Sequence, residues 1–534
     1  MPSKNINLII TFIVLLIAIF FRIPDLSERP MHGDEAVNAL KFSQLLESGT
    51  FEYDPTDYHG PTLYYFTLPV SWIRGQYTLK DLNETTLRIV PVVFGIGLIL
   101  LIFILKPDLG WQIPILMASL LSISPAFVFY SRYYIHEMIL VFCFYLFLFS
   151  GYRYIRSKNN IWILSSGLSL GLLISTKETW ILLLFSILLA VVLVYPPSRE
   201  NRKNLLIYIK SIPLTDFIIF ILSVVLTPVI LYSDFFTHLE GLQHSLSTFS
   251  IYFNRATSVG VHSHPWYMYF YWLLFFFSEG GSFWSEGIIA IFAIIGIISI
   301  ISKKYSRQNN SKFFQFILAF VLITVIVYSI IPYKTPWNLL TFWFGIIFLA
   351  SVGIITMYKL WHQKSFGTTY IIICALAFGH LGWQTYQLVY KKSCDVSNPY
   401  VYAHPGRDVF KITNTLKKLA LQYKDHFKIP IQVIAKDNDY WPLPWYLRDF
   451  KRVGWWDRVD YLSDAAPIII IQSEMVDSLI YKLYELPPPG HRHLYLPLFD
   501  DYIELRPGIE LQGYIRKDFW DDLNVSEKSL EIPE

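Results

Sequence analysis

The sequence predicts an all-α polytopic membrane domain followed by a small extracytoplasmic α/β domain. Three observations carry that reading. Of 534 residues, 54% are hydrophobic and only 16% charged, where an ordinary soluble domain has about 25% charged. Mean hydropathy is +0.40. Eleven segments are apolar over lengths near the roughly 20 residues that cross a bilayer core, and the chain beyond residue 386 returns to soluble texture.

The eleven segments are 6–23, 87–105, 113–130, 137–153, 161–176, 179–195, 214–232, 287–302, 313–331, 337–357 and 369–385. The first has Lys4 before it and no small-residue cleavage site after it, so it reads as an uncleaved anchor. The aromatic stretch 266–277 is too short to span and reads as interfacial or re-entrant. Basic loops stay cytoplasmic. The loop 196–213 carries Arg199, Arg202, Lys203 and Lys210 against Glu200, and 303–312 carries Lys303, Lys304, Arg307 and Lys312 with no acid. Arg153, Arg156 and Lys158 belong to the same side. In 24–86 ten acids oppose four bases. The expected topology is therefore a multi-pass protein of the plasma (inner) membrane, N-terminus cytoplasmic and C-terminus outside.

The expected division is a membrane domain over 1–385 and an extracytoplasmic domain over 386–534. In the latter, 408–424 reads as an amphipathic helix, IQVIA (431–435) and PIIIIQ (467–472) as buried strands, and 474–485 as a helix between strands. A net charge of +3 argues against a nucleic-acid partner. Cys143 and Cys374 lie in apolar runs, leaving Cys394 alone outside them. That excludes a disulfide framework and a thiol-based zinc site.

Ionisable residues avoid the middle of the spans and gather at their outer ends, a pattern that suits chemistry at a membrane–water boundary. Asp34 and Glu35 open an amphipathic helix, 35–47. They read as first-turn acids complementing the helix dipole, and equally as a general base toward a hydroxyl. His59-Gly60-Pro61 reads as a turn or as a group facing an anion. At the next outer junction, Arg132 and Glu137 flank Tyr133, Tyr134 and His136. Lys177-Glu178 and Lys334, in YKTPW, read as interface anchors or as phosphate ligands. His262 and His264 precede the aromatic stretch, which reads as lying beside a lipid chain more readily than as a metal site. Trp441, Trp445, Trp455 and Trp456 read as small-domain core or as sugar-stacking surfaces.

These motifs resemble the glycosyltransferases of the C superfamily (GT-C). The nearer relatives are the protein O-mannosyltransferase group (glycosyltransferase family 39) and the bacterial lipid A aminoarabinose transferases. The resemblance rests on GDEA in the first loop, the later HGP, Ser131-Arg132 with Glu137 where those families have Asp, and Thr176-Lys177-Glu178 where they have Thr-Lys-Gly. HGPTL replaces the basic residue and Pro-Pro-Leu run of many members. Asp34-Glu35-Ala36, YDP (53–55), HGP, YKTPW (333–337) and PLPWYLRD (442–449) are also similar to an archaeal and bacterial family described as flippase-activity-associated.

The resemblance implies an inverting sugar transfer from a polyprenyl-phosphate monosaccharide to the hydroxyl of a glycan, lipid or protein at the outer face. Asp34 would be the base, Glu35 would orient the acceptor or Asp34, and Glu137 would shape the acceptor side. Arg132 and Lys177, with His59 and Lys334, would hold the donor phosphate. No cofactor is required, since the donor carries one phosphate; a divalent metal at Glu35 and Glu137 is left open. The alternatives are a lipid-linked sugar flippase or transporter, and a non-catalytic subunit of a glycan-assembly complex.

Overall fold

All eleven apolar segments fold as helices in the computed structural model, which describes residues 4–56, 59–257, 262–278, 280–302, 310–363 and 366–530. In chain order the elements are α1 (Lys4–Arg22), α2 (Gly33–Ser48), α3 (Thr62–Ile73), α4 (Glu84–Leu101), α5 (Lys106–Leu109), α6 (Gln112–Ile123), α7 (Pro125–Ser131), α8 (Glu137–Ser157), α9 (Asn160–Ile174) and α10 (Trp180–Val194). There follow α11 (Arg199–Lys210), α12 (Leu214–Tyr232), α13 (Glu240–Thr257), α14 (Met268–Leu274), the hairpin β1 (Phe276–Phe277) and β2 (Phe283–Trp284), α15 (Gly287–Ile301), α16 (Ser311–Ile330), α17 (Leu340–Gln363) and α18 (Gly367–Tyr386). The chain is a multi-pass membrane protein.

Length and composition qualify fewer helices as spans than the eleven expected. Among the described residues six suffice alone, and a seventh arises if the pair α6 and α7 counts as one. That pair, read from sequence as one segment, is bent by 66°. The bend sits where Pro125 cannot continue the hydrogen-bond ladder. The buried Glu286 carboxylate takes over there, accepting the Ser124 hydroxyl and the Ala126 N–H. Helices α9, α10 and α15 have 15 residues each. At 1.5 Å per residue they reach about 22 Å, short of a roughly 30 Å hydrocarbon core. The α9–α10 junction explains the first two: Ser175, Thr176, Lys177 and Glu178 are all buried in protein, where irregular backbone at membrane depth is tolerated.

Close helix contacts follow small residues, as in lipid-embedded packing. Gly167 and Gly171 let α9 lie against Phe220, Ser223 and Thr227 of α12. Gly296 of α15 and Gly353 of α17 face each other's backbone carbonyl partners, Leu349 and Phe292. At one end of the bundle Asp108 receives Arg153 and Arg156, while Asn310 and Lys312 donate to the carbonyls of Asp108 and Val194. The turns after α5, α8, α10 and before α16 therefore share that end. Lys303, Lys304 and Arg307, used above to orient the chain, lie outside the described residues. The stretch 266–277 forms only the seven-residue α14 and strand β1, with Trp266, Phe275 and Phe277 exposed. That length cannot cross a bilayer.

At the opposite end lies the tail. It comprises α19 (Asp408–Gln422), β3 (Ile431–Ile434), α20 (Leu443–Tyr446), β4 (Val453–Trp456), β5 (Ile468–Gln472), α21 (Val476–Ile480), β6 (Tyr495–Pro497), β7 (Ile503–Arg506), β8 (Ile509–Arg516) and α22 (Lys517–Leu530). The sheet order is β4-β3-β5-β8-β6, with β7 also on β8. Strands β4, β3 and β5 run parallel and β8 antiparallel to β5. The two strands read from sequence are its fully buried centre, β3 and β5. The others are short or buried on one face only, which weakens their apolar signal.

A methyl group built on Gly353 falls 1.9 Å from the Phe292 carbonyl oxygen, whereas one on Gly379 meets nothing within 4 Å. Gly353→Ala is expected to destabilise by about 1–3 kcal/mol, read as a lower melting temperature in detergent, with Gly379→Ala unchanged.

Candidate active site

Helix α2 begins with a reciprocal cap. His32 Nδ1 accepts the Asp34 N–H at 3.0 Å, and the Glu35 carboxylate accepts the His32 N–H at 3.0 Å. Consecutive residues on a helix point in different directions, and here they do so completely. The Asp34 carboxylate is 55% exposed. Glu35 is 0% exposed.

Glu35 is fully engaged. Its oxygens accept from Arg29 (3.0 Å), from Arg88 Nε and Nη2 (2.8 Å each), from the Tyr134 N–H (2.9 Å) and from the His32 N–H. Burial pushes this carboxyl up, but the Arg29 and Arg88 guanidiniums outweigh burial and hold it well below the usual carboxylate range. Arg88 also donates to the carbonyls of Leu26, Arg29 and Pro30. Arg29 stacks over Tyr133, its guanidinium carbon 4.4 Å from the ring centroid, and donates to the Arg132 carbonyl. One carboxylate thus joins the first loop, α4 and the turn after α7.

Near Asp34 the tail contributes Tyr402 and Trp441. Tyr402 OH meets His262 Nδ1 at 2.7 Å and His264 Nε2 at 3.1 Å. Because Nδ1 of His32 already accepts a hydrogen bond, its Nε2 carries the proton and donates to the Tyr402 carbonyl at 3.1 Å. Trp337 packs against His32, Tyr133 and Tyr402, and Trp441 against Gly33. Burial lowers the pKa of His262, with Asp34 near enough to oppose the shift. Burial lowers His264 and Lys334 too, and raises Tyr402 to about 12. Lys334 donates to the carbonyls of His264 and Ile331.

A second cluster forms where HGP meets the α9–α10 junction. A methyl on Gly60 would lie 2.1 Å from the Ser175 carbonyl oxygen, so only glycine fits. The Gly60 N–H donates to the Thr176 carbonyl and the Gly60 carbonyl meets His136 Nε2. His59 Nδ1 lies 2.9 Å from Glu178. Lys177 donates to Glu137, both buried. Burial opposes the Lys177 charge, but Glu137 offsets this and raises the pKa. Tyr130 lies within electrostatic reach of Glu137, Arg29 and Tyr402, between the two clusters.

The seven residues singled out in the sequence therefore divide. His59, Glu137 and Lys177 come together, Lys334 joins the histidines near Asp34, and Glu35 backs Asp34 from inside. Arg132 is not brought to either group. Its guanidinium donates to the carbonyls of Phe21, Arg22 and Asp25 and lies over Tyr390. Of the tryptophans, Trp445 is fully buried and donates to Glu84, a core role. Sequence reading missed Arg29, Arg88, His32, Tyr402 and His404, whose Nδ1 accepts the Tyr402 N–H and whose ring lies 5.1 Å from that of His32. The one legible signal was Arg88, a lone cation inside an apolar segment. Among the described residues, no group of three or more His, Cys, Asp or Glu side chains is arranged to hold a metal ion.

Comparison with known proteins agrees with this architecture. Residues 59–240 match the PMT family model, described as dolichyl-phosphate-mannose-protein mannosyltransferase. No curated protein sequence matches the chain. The fold is similar to that of ArnT from Cupriavidus metallidurans bound to undecaprenyl phosphate, with TM-score 0.59 and 12% identity over 96% of this chain and 98% of that one. It is also similar to the oligosaccharyltransferase AglB from Archaeoglobus fulgidus in complex with an inhibitory peptide and a dolichol-phosphate. There the TM-score is 0.54, with 13% identity over 90% of this chain and 71% of that one.

Two outcomes follow. Arg88→Met leaves Glu35 buried with half its compensation and is expected to cost about 3–5 kcal/mol, read as a lowered melting temperature. His32 and His404 are buried and their pKa values lowered by that burial, His404 also by His32 and Arg29. The unfolded chain then binds more protons below its ordinary histidine pKa of about 6.5. The melting temperature should fall as pH drops through that value, and His404→Gln should lessen the fall.

Proposed function

We propose that this chain, whose residues 59–240 form a PMT-family domain on a GT-C-like fold, is a membrane glycosyltransferase using a polyprenyl-phosphate monosaccharide as donor. The observation that carries the reading is the exposed Asp34 carboxylate at the start of α2, held outward by the buried Glu35 network. In the proposed reaction the acceptor hydroxyl gives its proton to Asp34, and its oxygen bonds to the anomeric carbon. The bond from that carbon to phosphate breaks, and polyprenyl phosphate leaves. Inversion follows from the single displacement. The similarity to ArnT bound to undecaprenyl phosphate and to AglB in complex with a dolichol-phosphate supports that donor class.

His59, Lys177 and Lys334 are the proposed phosphate contacts. His59 and Lys177 are paired with Glu178 and Glu137, so a donor phosphate would compete with those carboxylates for them as it binds. Arg132 is left out of this set because its guanidinium faces away. Glu35 acts as a positioning residue and Glu137 as the partner that holds Lys177. His262, His264, Tyr402, Trp337 and Trp441 form a polar-aromatic wall suited to a sugar ring. The reading places this wall, and the tail, outside the membrane.

The test is transfer of labelled sugar from a polyprenyl-phosphate donor in proteoliposomes. Asp34→Asn is expected to lower transfer by a factor of about 10²–10⁴. Its melting temperature should stay unchanged, because the side chain is exposed. Wild-type transfer by that variant removes Asp34 from the mechanism. Label crossing leaflets without reaching an acceptor replaces the transferase with a flippase.

A further inference from the structure

Behind Glu35, on the side away from Asp34, lies a cavity of about 170 Å³. Arg29, Arg88 and Arg132 line it, together with Tyr390 and, from the tail, Arg407. Arg29, Arg88 and Arg132 are buried, and so is Arg22 just beneath, which donates only to carbonyls and to Ser131. Of these four buried guanidiniums only Arg29 and Arg88 reach the buried Glu35 carboxylate; Arg22 and Arg132 donate to backbone carbonyls instead. Asp25 and Glu28 also line the cavity but are exposed to water. Arg132 and Arg407 meet no carboxylate within ion-pair distance among the described residues. Burial, with Arg29 and Arg88 close by, pulls Arg132 down to about 10, as expected of a cation short of negative charge.

Immediately on the membrane side runs an apolar groove of about 630 Å³, a volume typical of sites that enclose a small ligand. Leu16, Ile17 and Phe20 of α1 form one wall, Ile123 of α6 the base, and Phe378 and Gly379 of α18 the other wall. The linings of the cavity and the groove are hydrogen-bonded to each other. Arg132 donates to the Phe21 and Arg22 carbonyls, and Tyr390 OH donates to the Phe20 carbonyl at 2.8 Å. A cationic pocket stacked on an apolar channel has the polarity profile of an anionic lipid. Arginine forks suit phosphate oxygens, and basic pockets between membrane helices hold anionic headgroups.

We propose that this is a binding site for an anionic phospholipid, separate from the donor site. The headgroup phosphate sits between Arg132 and Arg407, and one acyl chain lies along α1 and α18. The layer formed by Glu35, Arg29 and Arg88 divides the bound phosphate from Asp34, so the lipid is not a reactant. Its charge compensates the cluster that clamps Glu35, and it thereby stabilises the start of α2.

The experiment uses the full chain purified in detergent and relipidated in phosphatidylcholine vesicles with or without phosphatidylglycerol. Retained lipid is read by mass spectrometry and stability by thermal unfolding. Wild type should retain phosphatidylglycerol over phosphatidylcholine and melt higher with it, while inorganic phosphate alone should give no such shift. Arg132→Gln tests the cavity but removes buried contacts, so Arg407→Gln, at an exposed position, is the safer variant. Gly379→Phe is directed into the groove that Gly379 lines, at a position where an added Cβ meets nothing within 4 Å. Arg407→Gln and Gly379→Phe should each weaken phosphatidylglycerol retention by about tenfold. Equal retention of the two lipids, unchanged retention in both variants, or an equal shift with inorganic phosphate would each overturn the site.

Discussion

The buried ion cluster on Glu35 is the constraint from which the rest of the tail-side end takes its shape. A carboxylate removed from water is costly unless its lone pairs are filled, and here two guanidiniums and two backbone N–H groups fill them. Those donors come from the first loop, α4 and the turn after α7. Satisfying one charge therefore fixes three elements against each other. The orientation of Asp34 is a by-product: with Glu35 turned fully inward, its neighbour is left facing solvent. A loop held only by apolar contacts would not set one side chain's direction so tightly.

A second, independent lock is steric. Gly60 presses against the Ser175 carbonyl, and the backbone hydrogen bond from Gly60 to Thr176 holds the two turns in register. His59 and Lys177 are brought together by that contact rather than by their charges. The two locks meet through Tyr130, Tyr133 and Tyr134, whose rings and backbone fill the space between.

Composition and apolar run length made the helical bundle legible, because bilayer solvation demands both. The same signals overcounted spans. A run of apolar residues looks alike whether it faces lipid or is sealed inside protein, as at α9, α10 and the bent pair α6 and α7. The motif positions were legible too, since acids and bases beside apolar runs stand out. Direction was not. The His32 cap and Arg29 are near in sequence, but Arg88 and Tyr134, which complete the Glu35 cluster, and the carbonyls that take Arg132 lie about 50 to more than 100 residues away. Tyr402 was illegible for the same reason: its histidine partners lie on a different stretch of chain.

The tail is bolted to the bundle at several points. Tyr446 accepts the Met31 N–H, Trp445 donates to Glu84, Arg448 donates to the Leu82 carbonyl, and Tyr400 donates to the buried Glu286. It is therefore not a detachable accessory. Exchanging it for the tail of a distant relative would swap out a jaw while keeping its hinge pins, leaving bundle groups such as Glu84 and Glu286 without the partners they have here.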